Sequence, residues 1–316
     1  MNNNKGLIYI LMATLLFSGM EISIKATNGA FNPIQLNLIR FAIGAVILYP
    51  LARRQLSAKG YRLTAQDYGQ FNLLGFVCTT FGMTFFTLSV NYIPAHKSAL
   101  IFAGNIYFSI LFAYVVLKEV ITRFDIAAMA VSFTGLMILI NPFNFEGSAI
   151  GVISCLTSAI AFAFYGVLAK LFSRGKPTGG VVTTCYSFIF GTAQLALLVL
   201  LSRMDGVSEY FTERGLPIFA DIPVIRAVSM DNLPYLLYIA IGVTGLGFAF
   251  YFLAIDTVGV TMTSLVFFIK PVLVPILAYL ILKEEIPARS LIGLGFMLAG
   301  SAILFYSNVR KIRAMA

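Results

Sequence analysis

Several ionisable residues stand inside long apolar stretches of this chain. Glu21 and Lys25 lie in the stretch LFSGMEISIKA, Arg40 lies in LIRFAIGAVIL, and Lys270 lies in FFIKPVL. An ionised side chain in hydrocarbon costs about 2.5 to 3.5 kcal/mol on insertion scales, so it normally faces a partner, a cavity or a ligand. These four residues are therefore the first candidates for a binding site.

The composition indicates why such charges need an explanation. Of the 316 residues, 59% are hydrophobic and 11% are charged, and the mean hydropathy is +0.90. Too little polar surface remains to cover a water-soluble globule, so we predict a protein that crosses a lipid bilayer several times. The net charge of +9 comes mostly from short connectors, where basic residues indicate orientation in the membrane and not binding to nucleic acid.

A window of about 19 residues finds ten apolar segments, each close to the ~20 residues that a helix needs to cross a bilayer. The segments show no strand-like alternation, so we predict ten transmembrane helices in an all-α membrane protein. Two connectors are longer than the rest, at 53–67 and 203–231. The predicted helices, numbered one to ten, cover 6–24, 34–52, 68–89, 94–117, 123–141, 147–169, 180–202, 232–254, 259–282 and 288–307.

The second half of the chain repeats the first. ATLLFSGMEISIKA aligns with SAIAFAFYGVLAKL, which places Lys25 opposite Lys170. The clearest later matches are FGMTFFTLSVNYIPAHKSAL with LGFAFYFLAIDTVGVTMTSL, ILFAYVVLKE with PILAYLILKE, and Gly135 with Gly300. The first helix therefore belongs to a repeated unit and is not predicted to be a cleaved signal peptide.

Each copy contains five predicted helices, so we divide the chain into residues 1–142 and 143–316. Because five is an odd number, the second copy must enter the membrane from the opposite side, and the repeats are inverted. Basic residues concentrate on the face that carries both termini, which predicts that this face is cytoplasmic and that the loop 203–231 is external. The residues on that face are Lys5, Arg53, Arg54, Lys59, Arg62, Lys118, Arg123, Lys170, Arg174, Lys176, Arg310, Lys311 and Arg313.

Inverted repeats are typical of secondary transporters, in which the substrate site lies near the membrane midplane between the repeats. The five-plus-five arrangement, the LIRFAIGAVIL second helix and the LKE motif that closes helices four and nine resemble the EamA branch of the drug/metabolite transporter superfamily. The resemblance covers nearly the whole chain. It implies a carrier of the cell membrane that moves amino acids, other metabolites or toxic organic molecules, most often outward, driven by protons, a gradient or exchange.

Glu21 belongs to a polar stripe on helix one that also contains Thr14, Ser18 and Lys25, at spacings of 4, 3 and 4. In one interpretation Glu21 simply pairs with Lys25 one turn away, near the membrane surface. In the other it faces the cavity, pairs with Arg40 or Lys270, and takes up a proton or a substrate ammonium group.

Lys270 lies near the midplane of helix nine and is opposite Asn105 in the repeat. Pro271 beside it removes a backbone donor, whereas the equivalent position in helix four is Ile106, so we expect helix four to be the straighter of the two. Lys270 either binds backbone carbonyls or Glu21, or it faces the cavity together with Asn105. Positive charge exceeds negative charge within the helices, and a carboxylate on the substrate would balance it.

Tyrosines provide a rival site. Four of them fall in helices that should surround the cavity, where their hydroxyls and rings could bind a substrate or enclose an organic cation. These are Tyr107, Tyr165, Tyr186 and Tyr251.

Other functions find less support in the sequence. The lone His96 has no ligands at metal spacing, and Cys78, Cys155 and Cys185 have no close partners, so we expect no enzyme, metal or other cofactor. No ring of like polar groups indicates a channel. The predicted partners are a small-molecule substrate, the lipid bilayer and protons as a coupling ion, with a lipid-linked sugar flippase on the same fold as a further alternative.

Overall fold

The computed structural model describes residues 3–142, 148–226 and 228–315, apart from the side chains of residues 3, 260, 261 and 307–315. All regular structure in this part of the chain is helical, and ten helices are long and apolar enough to cross a membrane. They are α1 (Asn4–Ala26), α2 (Pro33–Ala58), α3 (Ala65–Tyr92), α4 (Ala95–Leu117), α5 (Arg123–Ile140), α6 (Ala149–Ser173), α7 (Gly180–Leu201), α8 (Leu233–Gly259), α9 (Leu265–Leu282) and α10 (Ala288–Tyr306).

The ten helices confirm the ten predicted segments, with two notable shifts in their ends. α8 continues to Gly259, whose φ of 83° a side chain would disfavour, and a further helical stretch reaches Thr263 before α9 begins at Leu265. The first long connector is shorter than predicted. α2 runs on to Ala58, and a capping box between Thr64 and Asp67 starts α3 early.

The LKE motif ends a helix in the same way in both halves. Lys118 has a φ of 58° and Lys283 has a φ of 57°, so each lysine occupies the left-handed conformation that terminates a helix. The next residue then donates its backbone N–H to a carbonyl six positions earlier, Glu119 to Ala113 and Glu284 to Ala278, both at 3.2 Å. The motif is therefore a stop signal that aims a glutamate past the end of α4 and of α9.

The two halves pack mainly against each other, and the pairing follows a pseudo-twofold pattern. α1 packs on α8 and α9, and its counterpart α6 packs on α3 and α4. α2 packs on α8, and its counterpart α7 packs on α3. The remaining large contacts, α2 with α7, α4 with α9 and α5 with α10, each join a helix to its own counterpart. This is the arrangement expected of two five-helix repeats.

The helices that carry the centre of the molecule are irregular. α3 contains a π-helical segment at Phe76–Gly82, and α8 contains one at Tyr238–Gly247, which is the corresponding position of the repeat. Such segments occur most often at functional sites. α1 is interrupted after Ser18 and α4 after Ala103, each time at a glycine.

The expectation that helix four is straighter than helix nine stays a prediction. Predicted helix nine, 259–282, is interrupted at Ser264, and the segment Leu265–Leu277 then runs helical through Pro271. α4 is interrupted at Gly104. A proline inside a helix removes one backbone hydrogen bond, and the surrounding helix can retain the others. Neither interruption therefore falls at the proline itself.

The loop between α7 and α8 covers one end of the helix bundle. It contains a short helix at Asp205–Glu213, and its later residues lie over the start of α2. The Asn32 side chain donates to the Ile218 carbonyl at 2.9 Å, and the Gln35 side chain donates to the Val224 and Arg226 carbonyls at 3.0 and 2.6 Å. The charge argument for orientation also used Arg310, Lys311 and Arg313, whose side chains lie outside the described residues.

Candidate functional site

A cavity of ≈ 170 Å³ lies between the two halves, in the middle of the helix bundle. Eight helices contribute to its walls, all except α5 and α10, which pack against each other at the periphery. The charged and strongly polar groups of the lining come from both repeats. The lining residues are Phe17, Met20, Arg40, Phe41, Cys78, Met83, Ala99, Phe102, Ala103, Asn105, Ile106, Phe162, Phe188, Val243, Thr244, Phe248, Phe267, Lys270 and Pro271.

The ion pair at the cavity wall joins α1 to α9. Lys270 Nζ lies 2.7 Å from Glu21 Oε1, with the lysine side chain 13% exposed and the glutamate side chain 0% exposed. Glu21 itself does not line the cavity, so it holds the ammonium group from behind. A lysine so deep in the bundle needs this partner, because removing either charge would leave the other buried and uncompensated.

The alternative pairing of Glu21 with Lys25 is wrong. Lys25 turns instead to the end of α3, where its ammonium group donates to the carbonyls of Val90, Asn91 and Ile93 at 3.1, 3.4 and 3.1 Å. These are carbonyls that the end of a helix leaves without intrahelical partners. Lys25 therefore secures α1 to α3, and Glu21 is left for Lys270.

Arg40 is the second cation of the lining and it is 1% exposed. Its guanidinium carbon lies 4.4 Å from the centre of the Phe41 ring, and its Nη1 lies 3.3 Å from the sulfur of Met20, a weak acceptor. Its Nε and Nη2 have no hydrogen-bond partner among the described residues. A buried guanidinium with two such donors is an unusual feature that a ligand would satisfy.

The other polar groups of the lining already have partners nearby. Asn105, the repeat counterpart of Lys270, donates its amide to the Phe102 carbonyl at 2.7 Å. The Thr244 hydroxyl donates to the Ile239 carbonyl of its own helix at 2.8 Å. The structure thus brings together Arg40, Asn105 and Lys270, three of the residues that the sequence analysis singled out.

Phenylalanines, and not the predicted tyrosines, form the walls. Phe17 and Phe162 occupy corresponding positions of the two repeats, as do Phe102 and Phe267. The sequence alignment of the repeats contained this signal, because each of these phenylalanines is kept in both copies. Sequence reasoning missed it by considering only polar and charged residues.

The remaining candidates do not line the cavity in this conformation. Ser18 is buried and donates to the Thr14 carbonyl at 2.7 Å, within α1. The Tyr107 hydroxyl donates to the Met297 carbonyl of α10 at 3.3 Å, and the Tyr165 hydroxyl lies 3.3 Å from Thr184 Oγ1.

The other two tyrosines pack against aromatic rings. Tyr186 stacks on Phe71 with ring centres 5.3 Å apart, and Tyr251 contacts the outer side of the lining residue Phe267 edge-on at 5.5 Å. No tyrosine belongs to the cavity lining in the described part of the chain. A cage of tyrosine rings around an organic cation is therefore absent from the described cavity.

A polar contact joins the end of α9 to the start of α4. The carboxylate of Glu284 accepts hydrogen bonds from the backbone N–H groups of Ala95 and His96 at 2.8 and 3.3 Å and from His96 Nδ1 at 2.7 Å. Burial alone would raise the pKa of Glu284, but these hydrogen bonds outweigh it and hold the pKa below its usual value. We call this contact the α9–α4 latch.

The end of α4 makes a looser contact. Glu119, the repeat counterpart of Glu284, forms ion pairs with Lys170 at 2.7 Å and Arg174 at 3.8 Å, and all three side chains are more than 40% exposed. Exposed pairs of this kind contribute little to stability. Among the lining residues, Phe267 is exposed and Ala99 is buried.

Ten apolar helices in two five-helix halves, with charged groups in a cavity between them, define a multi-pass membrane protein built like a solute carrier. The EamA-like transporter family model matches residues 4–141 and again residues 149–306. This chain belongs to that family.

Relatives with this family's architecture come from several microorganisms. An uncharacterized transporter of Clostridium kluyveri is 35% identical over 96% of this chain and 94% of its own length. The uncharacterized transporter YyaM of Bacillus subtilis is 23% identical over 96% and 95%. The pseudopaline exporter CntI of Pseudomonas aeruginosa is 23% identical over 63% and 66%. A crystal structure with 19% identity shares the fold, with a TM-score of 0.60 over 95% of this chain and 97% of that one.

Proposed function

We propose that this protein is a secondary active transporter that exports a small carboxylate-bearing metabolite, an amino acid or another organic acid, by alternating access. The observation that carries the proposal is the cavity between the repeats, which presents Arg40 and Lys270 from opposite halves of the chain. A site shared by two halves changes its exposure when one half moves against the other. Relatives named as transporters support transport of a small molecule, and one relative named as an exporter supports its outward direction.

Orientation follows from the distribution of basic residues. Residues 1–142 and 143–316 act as the two inverted repeats, and both termini lie in the cytoplasm of the cell. The α9–α4 latch then closes the external end, and the end with Glu119 and Lys170 faces the cytoplasm. The conformation described here is thus ready to receive a substrate from inside, as an exporter requires.

Glu21 is the proposed site of a coupling proton. Protonation would remove its charge and release Lys270, 2.7 Å away, to a substrate anion in the cavity. Proton and anion would then be carried together without net charge, so that the outward gradient of the acid drives protons out with it against the inward proton gradient. An ammonium group on a substrate has no direct access to Glu21, whose side chain is fully buried behind Lys270.

Counterflow in proteoliposomes preloaded with a mixed cell extract tests the proposal, with mass spectrometry of the compounds that leave. We expect selective loss of carboxylates, which Lys270→Met reduces strongly. Loss of organic cations that survives in Lys270→Met, loss of lipid-linked sugars, or no selective loss would each contradict the proposal.

A further inference from the structure

Among the described lining residues, Arg40 stands out because two of its donors have no hydrogen-bond partner. Asn105 and Thr244 are bonded to backbone carbonyls, and Lys270 contacts Glu21. Arg40 is buried, and its Nε and Nη2 find no partner among the described residues. Leaving two charged donors unsatisfied in an apolar interior is costly, so an occupant of the cavity that accepts both hydrogen bonds is strongly favoured.

The two free donors form one edge of the guanidinium group. Nε and Nη2 point in parallel directions from that edge, and this is the pair that binds a carboxylate through two parallel hydrogen bonds. The other side of the group is already fixed, since Nη1 contacts the sulfur of Met20 and the Phe41 ring lies 4.4 Å from the guanidinium carbon. Arg40 is therefore held in place with its carboxylate-binding edge unused.

The charges around the cavity specify a single negative charge on the ligand. Arg40 and Lys270 are the charged residues among the described lining residues. Glu21 lies 2.7 Å from Lys270 and also attracts Arg40, so while Glu21 is ionised two cations share one carboxylate and one positive charge remains. A monoanion would balance it, whereas a dianion would require the second cation as well.

The rest of the lining is unsuited to a second charged group on the ligand. Seven phenylalanine rings and two methionines form most of the walls: Phe17, Phe41, Phe102, Phe162, Phe188, Phe248, Phe267, Met20 and Met83. No acidic side chain lines the cavity within the described residues. An α-ammonium group would thus lose its water and gain no carboxylate in return, which is a large penalty for a buried charge.

We infer that Arg40 and the phenylalanine walls select an apolar or aromatic monocarboxylate, and that the protein prefers such an acid to the amino acid of the same skeleton. This inference rests on the proposed carboxylate transport and narrows its substrate class. Arg40 is the specificity-determining residue, and Lys270 adds a second donor when Glu21 is protonated.

Met20 fixes the orientation of the Arg40 guanidinium from its Nη1 side. Its sulfur lies 3.3 Å from Nη1, directly after the interruption of α1 at Gly19. A methionine sulfur is a weak acceptor, so it orients the group without neutralising its charge. Nε and Nη2 are shielded from solvent in the empty cavity, so the ligand would enter by moving side chains of the lining.

The direct test compares ligands of one skeleton by isothermal titration of the full-length protein in nanodiscs. 3-Phenylpropionate carries the ring and the carboxylate, phenylalanine adds an α-ammonium group, and phenethylamine keeps the ammonium group but has no carboxylate. We expect 3-phenylpropionate to bind about tenfold or more tightly than phenylalanine, and phenethylamine not to bind. The same order is expected for 4-methylpentanoate and leucine.

Two substitutions assign the preference to the arginine. Arg40→Met should lower the affinity for 3-phenylpropionate by more than tenfold, and Arg40→Lys should recover only part of it, because lysine keeps the charge but lacks the two-donor edge. Met20→Leu keeps the bulk, removes only the acceptor for Nη1 and leaves the Nε–Nη2 edge intact, so it should lower the affinity far less than Arg40→Met. Melting curves show whether each variant is folded, and the ligand series on the unsubstituted protein tests the inference even if a variant is not.

The outcomes separate this inference from the proposed function. Phenylalanine or leucine binding as tightly as the corresponding acid would overturn the inference and leave carboxylate transport intact. So would binding of neither acid by a protein that releases other carboxylates in counterflow, or unchanged affinity in a folded Arg40→Met variant. Failure of every carboxylate in both assays would overturn the proposed function as well.

Discussion

At the scale of single residues, the molecule depends on how three charges are distributed over one cavity. Glu21 and Lys270 neutralise each other across α1 and α9, and Arg40 keeps an unused pair of donors. We expect the Glu21–Lys270 ion pair to affect stability and Arg40 to affect ligand binding. The two roles predict different responses to substitution.

We predict that Glu21 and Lys270 stabilise the fold only as a pair. Lys270→Met or Glu21→Gln alone leaves one buried charge uncompensated and should lower stability by about 3–5 kcal/mol, whereas the double variant should recover most of the loss. Melting temperatures of the four proteins in one detergent complete the double-mutant cycle. Additive losses from the two substitutions would show that the residues do not interact.

At the scale of helices, the two halves use the same stop signal for different purposes. After α9, the LKE motif directs Glu284 onto the start of α4, and after α4 it directs Glu119 to exposed partners on α6. A carboxylate at the start of a helix is favoured by the free N–H groups and the helix dipole there. Glu284 is thereby hydrogen-bonded to the start of α4, whereas Glu119 is held only by exposed ion pairs.

We predict that weakening the latch opens the closed end. In a background with the native cysteines replaced by serine, Ala99→Cys places a thiol on the buried cavity wall near that end. Glu284→Gln should increase its labelling by an impermeant maleimide added outside cells severalfold. Glu119→Gln is the matched control and should not change the labelling, and equal labelling with and without Glu284→Gln would contradict the role of the latch.

The latch should also respond to acid. The pKa of Glu284 is lowered in the closed state, so the stabilisation that it gives is present above the ordinary glutamate pKa of about 4.3 and is lost as the pH falls through the lowered value. Near the carboxylate, His96 and Lys25 supply positive charge. The thiolate is the form that reacts with maleimide, so labelling at Ala99→Cys is compared at each pH with labelling of an exposed cysteine at Asn28. This ratio should rise below about pH 4.3 in the parent protein, and Glu284→Gln should remove that rise. A ratio that does not change with pH in the parent would count against the assignment.

Close contact between α5 and α10 gives a prediction on packing. A β-carbon added at Gly135 would lie 2.6 Å from the Gly293 carbonyl oxygen, whereas nothing lies within 4 Å of one added at Gly295. Gly135→Ala should therefore destabilise the protein by about 1–3 kcal/mol, and Gly295→Ala on α10 should be neutral or slightly stabilising. Equal melting temperatures for the two variants would contradict close packing of the two helices.

The sequence predicted the helices better than it predicted the faces that they turn inward. Length and hydropathy located all ten segments, and the repeat alignment paired Asn105 with Lys270, which do meet at the cavity. Periodicity distinguishes an apolar face from a polar one, but here lipid and cavity are both apolar. It therefore did not identify the phenylalanine walls, and it placed Tyr107 and Tyr165 at a cavity that they do not line.

At the scale of the whole molecule, the pseudo-twofold axis relates two halves that are not in the same state. The repeats share a π-helical segment in α3 and α8 and the stop signals after α4 and α9, yet among the described residues Glu284 is largely buried and its counterpart Glu119 is exposed. If the two halves exchanged conformations, the cavity would be accessible from its other end. Alternating access in a protein with inverted repeats would follow from such an exchange.

The orientation of the chain in the membrane can be tested by labelling its loops. Cysteines are introduced at Asn28, after α1, and at Gly60, after α2. We expect the cysteine at Asn28 outside the cell and the one at Gly60 inside, because basic residues concentrate on the side of the membrane predicted for Gly60. Labelling of intact cells and of inverted vesicles with an impermeant maleimide distinguishes the two. The reverse pattern would place the latch in the cytoplasm and would contradict export from the conformation described here.

The most direct test of carboxylate transport through the central cavity is exchange in proteoliposomes. Vesicles loaded with a labelled carboxylate identified by counterflow are diluted into buffer with or without the same unlabelled carboxylate, at a pH where it is ionised. An alternating-access carrier should release label faster when the unlabelled compound is outside, and Arg40→Met should abolish the acceleration. Release that is equally fast without external carboxylate would indicate a channel, and release no faster than from protein-free vesicles would contradict carboxylate transport itself.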